Sequence, residues 1–421
     1  MKKRYFQVFT AVLAVIFLLT ACGSGSAVSS SSETEKNGSD SDNEAVKVNI
    51  LCVGDIIPHS SVIESALQDD GSYDFSGNYE YVEKYIEQAD LAMCNMETTF
   101  GGGTPSGYPM FNAPDELAED VHDVGFDVAF TSNNHMMDSG SDGVTRTVKV
   151  LRDAGLDVAG SRLSEDEKSY LVIEVNGAKI GIVAYTYETT ASAGAKTTIN
   201  GNSVSEETAE LINSFNYHEL DSEDYGEIGE DIEGCREDGA DVVICYMHWG
   251  TEYQQDAGET QEEMAQKLAD MGADVIFASH PHVPQEIEVV TSSSGEEVPV
   301  FYSMGNFISN QRQETVSNRY TEEGMMAEVK LTIMPGQDEI LAESVNIIPT
   351  WVDKYTESGS TIFRIIPLDS HLGSNGALAM SGHIERAQQA EEDMESKFGE
   401  YIDGKTIFTS GGESDDSSKA A

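Results

Sequence analysis

The chain has 421 residues, with 24 Lys and Arg set against 75 Asp and Glu, a formal net charge of −51 at pH 7. A surface that acidic repels phosphate backbones instead of neutralising them, which argues against nucleic acid as a partner. The five cysteines include no Cys-x-x-Cys pair and are too sparse for a small disulfide scaffold; Cys52, Cys94 and Cys245 lie inside apolar runs and read as buried thiols.

The first residues read as an export signal. Lys2, Lys3 and Arg4 form a basic start and Phe6 to Leu19 an apolar run of 14 residues, short of the roughly 20 that span a bilayer as a helix. Leu19-Thr20-Ala21-Cys22 resembles a bacterial lipobox. Residues 1–21 are therefore expected to be a cleaved signal peptide and Cys22 a diacylated anchor, two acyl chains holding where one binds only reversibly. The protein is accordingly expected outside the cytoplasm, held at the cell membrane. Residues 22–46 are polar and read as a flexible linker that cannot bury enough surface to offset ordering. Residues 47–370 are expected to form one large domain, and 371–421 an extension with a polar helix and an unstructured tail.

Within the domain, short β-branched and apolar runs alternate with helical patterns, which points to an α/β fold with largely parallel pairing in its first half. The expected strands are Val48–Val53, Leu91–Cys94, Asp127–Thr131, Ile180–Thr186, Asp241–Met247, Asp274–Ala278 and Val300–Ser303. Leu117, Val121 and Val124 share a helical face that Gly125 ends, and Val144, Val148 and Leu151 another that Gly155 ends. Thr260 and Glu263 have capping-box spacing ahead of Met264, Leu268 and Met271, with Gly272 as the stop. From Met325 the pattern turns to strands without intervening helices, Met325–Met334 and Ser344–Trp351, expected to pair antiparallel and complete a second sheet. His383 to Tyr401 reads as a charge-laced helix.

Six polar clusters each begin at the carboxyl end of one of these apolar runs, the edge of an open α/β sheet where ligands bind. They bring together two carboxylates, Asp55 and Glu97, the amide of Asn134, and five imidazoles, those of His59, His135, His248, His280 and His282, out of nine histidines in the chain. A lone Asp or His at a strand–loop junction is ordinarily a cap or a hydrogen-bonded structural residue; their conjunction on one edge is what points to ligands. Pro281 fixes a rigid turn able to aim His280 and His282. Such a donor set suits Mn²⁺, Zn²⁺ or Fe and is too large for one tetrahedral ion, so two divalent metal ions are expected. Arg312 and Arg319, shortly after Asn306, are the nearby candidates for clamping an anionic group.

The ordered series Gly54-Asp55, Asn95-Met96-Glu97, Asn133-Asn134-His135, His248-Trp249-Gly250, His280-Pro281-His282 and Gly305-Asn306-Phe307 resembles the motif set of the CapA (PgsA) family, associated with poly-γ-glutamate and capsule synthesis, over about residues 47–310. Phe111-Asn112-Ala113-Pro114 and Tyr302-Ser303-Met304 are similar to family text as well. That family is in turn similar to calcineurin-like metallophosphoesterases. The resemblance implies an α/β fold, a four-layer α/β/β/α sandwich of two mixed β-sheets. It further implies Asp55 on a first metal, Glu97 in a bridging position, Asn134, His248 and His280 on a second metal, and His282 returning to the first. His135 would be the general acid, with Trp249, Glu252 and Asn306 shaping a substrate site. Where the wider pattern has Asp-x-His, this chain has Ile57; either His59 substitutes or the first metal has a thinner shell.

Two functions of different class follow. One is a binuclear-metal hydrolase acting on a phosphoester or on a bond of an anionic envelope polymer. The other is a non-catalytic accessory or anchoring factor for such a polymer, partnered with membrane-embedded synthesis proteins. A solute-binding lipoprotein would be built of two similar lobes, and no internal repeat supports that.

Overall fold

Strand β1 (Val46–Ile56) is buried along almost its whole length, which is why its sequence runs apolar instead of alternating with polar residues. Val48, Ile50 and Cys52 point to one side of it and Leu51 and Val53 to the other, each set entering a different core. In the computed structural model, which describes residues 44–220, 224–337, 339–402 and 404–409, β1 is the centre of the first of two sheets. The expected signal peptide, Cys22, nearly all of the linker and the end of the tail lie outside the described residues.

From β1 the chain adds β2 (Leu91–Met96), β3 (Val128–Phe130) and β4 (Asp157–Ala159), all in parallel. It then builds a second sheet from β5 (Leu171–Val175) and β6 (Ala178–Tyr187). A small separate hairpin, β7 (Thr198–Ile199) with β8 (Asn202–Ser203), precedes β9 (Ser214–Phe215), β10 (Val242–His248), β11 (Val275–Ser279), β12 (Ile287–Thr291) and β13 (Glu297–Phe301). The second sheet has the order β12-β13-β11-β10-β6-β5, with β9 beside β6 and β13, β11, β10 and β6 parallel. The chain returns to the first sheet with β14 (Asn306–Ile308), parallel to β1, and then with the antiparallel β15 (Glu323–Met334), β16 (Glu339–Glu357), β17 (Ser360–Pro367) and β18 (Lys405–Thr409).

The two sheets pack face to face. Val48, Ile50, Met93 and Phe130 of the first meet Ile180, Ile182, Ile244 and Tyr246 of the second in one core, where the Phe130 and Tyr246 rings stack at 4.1 Å. Helices Glu116–Asp123 and Gly140–Ala154 cover the outer face of the first sheet with Leu117, Val121, Val148 and Leu151. Helices Asp224–Glu237 and Glu259–Asp270 cover the second with Ile228, Ile232, Met264 and Leu268. Each such fully buried aliphatic side chain contributes about 1.5–3 kcal/mol. The result is the four-layer α/β/β/α sandwich.

All seven expected strands are present, and Gly125, Gly155 and Gly272 end their helices in left-handed conformations. Two local expectations need correction. The Met325 and Ser344 strands do not complete the second sheet; β15 pairs with β1, Val53 opposite Met326, and so widens the first. Antiparallel partnership is legible in an alternating strand, but the edge it joins is decided by contacts hundreds of residues away. The helix expected to start at Thr260 begins earlier, with Gly258 as N-cap, whose N–H donates to the Gln261 side-chain oxygen at 3.0 Å. The expected C-terminal helix spans Ile384–Ile402, and its Ala387, Ala390, Met394, Phe398 and Tyr401 enter the inter-sheet core against β16. All four described cysteines are buried free thiols.

At the amino ends of the parallel strands a device recurs. Asp90, Asp127, Asp241 and Asp274 each precede a strand and accept a backbone N–H of the neighbouring one, from Asn49, Ala92, Lys179 and Val243, at 2.8, 2.8, 2.7 and 2.6 Å. In return each donates its own N–H to the carbonyl of that same neighbour at 2.8–2.9 Å. These paired bonds set the stagger of the strands, and hence which residues reach the opposite, carboxyl edge.

Candidate metal centre

β1 ends in Gly54-Asp55, and the local chain path there depends on a missing Cβ. The Asp55 N–H donates to the Gly305 carbonyl at 3.0 Å. A Cβ on residue 54 would stand 1.9 Å from that oxygen, so only glycine lets the turn before β14 come this close. The pairing with β2 slips between Val53 and Asp55, and this bulge sets Asp55 beside Asn95 on one flank and Asn306 on the other.

Around Asp55 the expected residues converge. Asp55, Glu97 and His248, all fully buried, place ligand atoms within 4.8 Å of one another. The Asp55 Oδ2 accepts from His282 Nδ1 at 2.9 Å, and His282 Nε2 lies 3.7 Å from Glu97 Oε1. Asn134 Oδ1 accepts from His248 Nε2 at 2.9 Å. The His280 ring sits 4.9 Å from that of His248 and 5.9 Å from that of His282. His135 Nε2 is 4.0 Å from Glu97 Oε1.

Two asparagines orient the cluster. Asn133 donates to Asn95 Oδ1 at 3.1 Å and to the Met96 carbonyl at 2.9 Å. Its own Oδ1 accepts the His135 N–H at 3.1 Å. The Asn95 amide is thereby fixed with Nδ2 toward Asp55 Oδ1 at 2.8 Å, Glu97 Oε2 at 3.4 Å and His248 Nδ1 at 3.5 Å. One amide nitrogen thus serves three acceptors with two hydrogens.

Polar atoms without hydrogen bonds appear elsewhere in the site. Glu97 Oε1 and His280 Nδ1 are buried and have no hydrogen-bond partner among the described residues. Burial, with Asp55 next, pushes the Glu97 carboxyl well above the usual range. Asp55 feels burial too, but His282, His248 and Asn95 outweigh it and hold its carboxyl low. Burial lowers His248 to about 3 and carries His280 well down, where His248 and His282 add repulsion. His280 and His282 also occupy left-handed backbone, at φ 108° and 58°. Such conformations cost about 1–3 kcal/mol each outside glycine and collect at functional sites.

The cluster opens into a cleft of roughly 570 Å³ lined by His59, Phe111, Asn134, His135, Glu252 and Tyr253, among others. Glu252 is thus on the cleft wall. His59 is there as well, its Nδ1 within reach of the Ile57 carbonyl at 3.2 Å or the Asn310 N–H at 3.3 Å according to tautomer, and its ring stands on the edge of Phe111. Trp249 is not at the cleft: it is fully buried in the helix-side core of the second sheet, its indole N–H donating to the Tyr302 carbonyl at 3.0 Å. Residues alternate sides along the chain, so His248 facing the site turns Trp249 away. Asn306 is fully buried and acts as a tie, its Nδ2 donating to the Thr321 carbonyl, Gln311 Oε1 and the His282 carbonyl at 2.9, 3.1 and 3.3 Å. Asp138 escaped sequence reading. Its Oδ2 accepts from His135 Nδ1 at 2.7 Å, and the His-x-x-Asp spacing on a turn was the signal available for it.

This arrangement fits a cation. Carboxylate and imidazole acceptors outnumber donors in a buried space, and a metal ion supplies the missing positive charge. Asp55, Glu97 and His248 form a triad that could hold one.

The chain is 28% identical over 275 residues to the capsule biosynthesis protein CapA of Bacillus anthracis, covering 64% of this chain and 61% of that one. It is 30% identical over 200 residues to the PGA biosynthesis protein CapA of Bacillus subtilis strain 168, covering 47% and 46%. It is 25% identical over 234 residues to a probable polyglutamine synthesis accessory protein of Mycobacterium tuberculosis, covering 52% and 56%. The chain thus spans about half to three-fifths of the length of these curated relatives. The family model described as bacterial capsule synthesis protein PGA_cap matches residues 49–311, the segment that carries every expected ligand from Asp55 to His282, and the chain belongs to that family.

Proposed function

We propose that this protein is a cell-surface, metal-dependent hydrolase of the capsule synthesis family, acting on a phosphoester or a bond of an anionic envelope polymer. The observation that carries this reading is the fully buried Glu97 Oε1, without a hydrogen bond among the described residues, within the Asp55–Glu97–His248 triad. We take the centre to hold two divalent ions, Mn, Zn or Fe, with Asn134, His280 and His282 completing the set. A cation pair there supplies Lewis-acid stabilisation of charge on the attacking and leaving oxygens.

The chain's own residues would do the rest. Asn95 and Asn133 hold the carboxylates in register. Asp138 accepts a hydrogen bond from His135 Nδ1–H, which keeps that proton on Nδ1 and leaves Nε2 facing Glu97 and the cleft, placed to hand its own proton to a leaving oxygen when the ring is protonated. Phe111, whose ring meets His135 edge-on at 4.6 Å, restricts that imidazole to one orientation. The anchor is part of the same proposal: a lipid on Cys22 would hold the cleft at the membrane face where envelope polymers are made. Cys22→Ser should release the protein from the membrane fraction.

The test is metal content by mass spectrometry on the full chain in detergent, beside a His280→Ala/His282→Ala double variant. About two transition-metal ions per chain, lost in the variant, support the centre. No bound metal after reconstitution with Mn²⁺ or Zn²⁺ sinks it. Given metal, His135→Ala should lose turnover while keeping its ions.

A second reading has one observation in its favour. Ile57 stands where the wider pattern has a histidine, so unless His59 Nε2 takes that place, its Nδ1 being held at the backbone, the first ion would have a thin shell. A metal-loaded protein that binds polymer but turns over neither phosphoesters nor polymer would be the accessory factor.

A further inference from the structure

In a chain of net charge −51, four of the 24 Lys and Arg line a single groove of roughly 680 Å³: Arg312, Arg319, Lys354 and Arg386. Three of them are built in. Arg312 and Arg386 share one buried carboxylate, that of Glu322, at 3.3 and 3.6 Å, and Glu322 also accepts the Trp351 indole N–H at 3.1 Å. Arg319 grips both oxygens of Asp393 at 2.8 Å. Arg386 further meets Glu323 at 3.3 Å, and Arg312 meets the exposed Glu314 at 3.4 Å.

The carboxylates fall on three of the four cations. Arg386 Nη1 is buried without a hydrogen-bond partner among the described residues. Lys354 makes no ion pair among them; its Nζ donates only to the neutral Asn310 Oδ1 at 2.8 Å. Burial, and then the neighbouring Arg312, disfavour its charge, an environment that an incoming anion would relieve.

The groove also adjoins the cleft. Thr315 lines both. Asn310, which Lys354 holds, lines the cleft and donates its N–H to His59 Nδ1 at 3.3 Å.

We propose that this groove binds a linear chain of repeated carboxylates and holds it while a neighbouring segment lies in the metal cleft; this rests on the reading of the cleft as acting on an anionic polymer. Cations spread along a groove, three of them partly neutralised, suit several single charges spaced along a chain better than one concentrated dianion. The net charge of −51 repels such a chain overall, and cations gathered beside the cleft offset that locally.

The test is binding of labelled glutamate oligomers of ten and three residues to the full chain in detergent, followed by fluorescence anisotropy. The decamer should bind at least about tenfold more tightly than the trimer, with an affinity that falls as salt rises. Lys354→Glu should cost the decamer about tenfold, whereas Lys354→Arg should retain its binding, which shows that charge and not folding is at stake. Unchanged decamer affinity in Lys354→Glu, or equal affinity for the two lengths, overturns the proposal. The two readings fail separately. Lys354-dependent binding to a protein that takes up no metal removes the hydrolase alone; an active, metal-loaded protein indifferent to Lys354→Glu removes the groove alone.

Discussion

At the amino edge of the parallel strands Asp90, Asp127, Asp241 and Asp274 each accept a backbone N–H at 2.6–2.8 Å, whereas at the carboxyl edge Asp55 and Glu97 face imidazoles, one amide and each other. The residue type is shared and so is the setting, a loop joining a strand. What differs is the balance of donors. At the amino edge the backbone supplies hydrogens to the carboxylates, and the bonds fix strand stagger. At the carboxyl edge acceptors exceed donors, and the deficit is what a cation makes good. An acidic residue beside a strand is thus assigned by counting the hydrogens that reach it.

The sharpest way to break that contrast is to add hydrogens where they are short. Glu97→Gln keeps the shape and brings two donors to a site with too few. Metal affinity and turnover should fall by more than the roughly 10–100-fold seen for outer partners of a metal site, while the metal-free protein melts at the same temperature or higher, because a buried carboxylate with one oxygen short of a hydrogen bond has gone. Mass spectrometry for metal and calorimetry on the apoprotein measure the two halves. A drop in apoprotein stability would mean that Glu97 is a structural residue like those at the other edge.

The reverse experiment belongs at the amino edge. Asp274→Ala removes the acceptor for the Val243 N–H and the carboxylate that Arg236 meets at 2.6 Å. The loss should be about 2–3 kcal/mol, as for a hydrogen-bonded and partly buried charge, read from denaturant unfolding, with metal stoichiometry unchanged. Lost metal at unchanged stability would erase the distinction between the edges.

Sequence reading reached the site better than it reached the sheets. Residue order placed Asp55, Glu97, Asn134, His248, His280 and His282 each just past an apolar run, and a parallel sheet brings such positions to one edge whatever the strand order. β15 went to the wrong sheet because its partner, β1, lies more than two hundred residues back in the chain, and pairing at that distance leaves no local trace. The amino-edge aspartates were visible only as the first residues of the Asp127, Asp241 and Asp274 strands. Their role needs the neighbouring strand's N–H, which a linear pattern does not contain. Asp138 was likewise missed, since a carboxylate is informative only once its histidine is known to face it.

Trp249 offers the smallest effect and the finest test, because it follows a candidate ligand, His248, directly and is expected from sequence to shape the substrate site. The structure turns it into the helix-side core, where its indole N–H meets the Tyr302 carbonyl and its ring stacks with Tyr302 at 6.1 Å. Trp249→Phe should therefore cost about 1–2 kcal/mol, from one hydrogen bond and some packing, and leave metal content and KM unchanged. If KM rises while the unfolding midpoint stays put, the tryptophan touches substrate and the side of β10 assigned to the site is too narrow. If stability falls and KM holds, one residue step past the end of β10 separates the candidate ligand His248 from the core, as the alternation of extended chain requires.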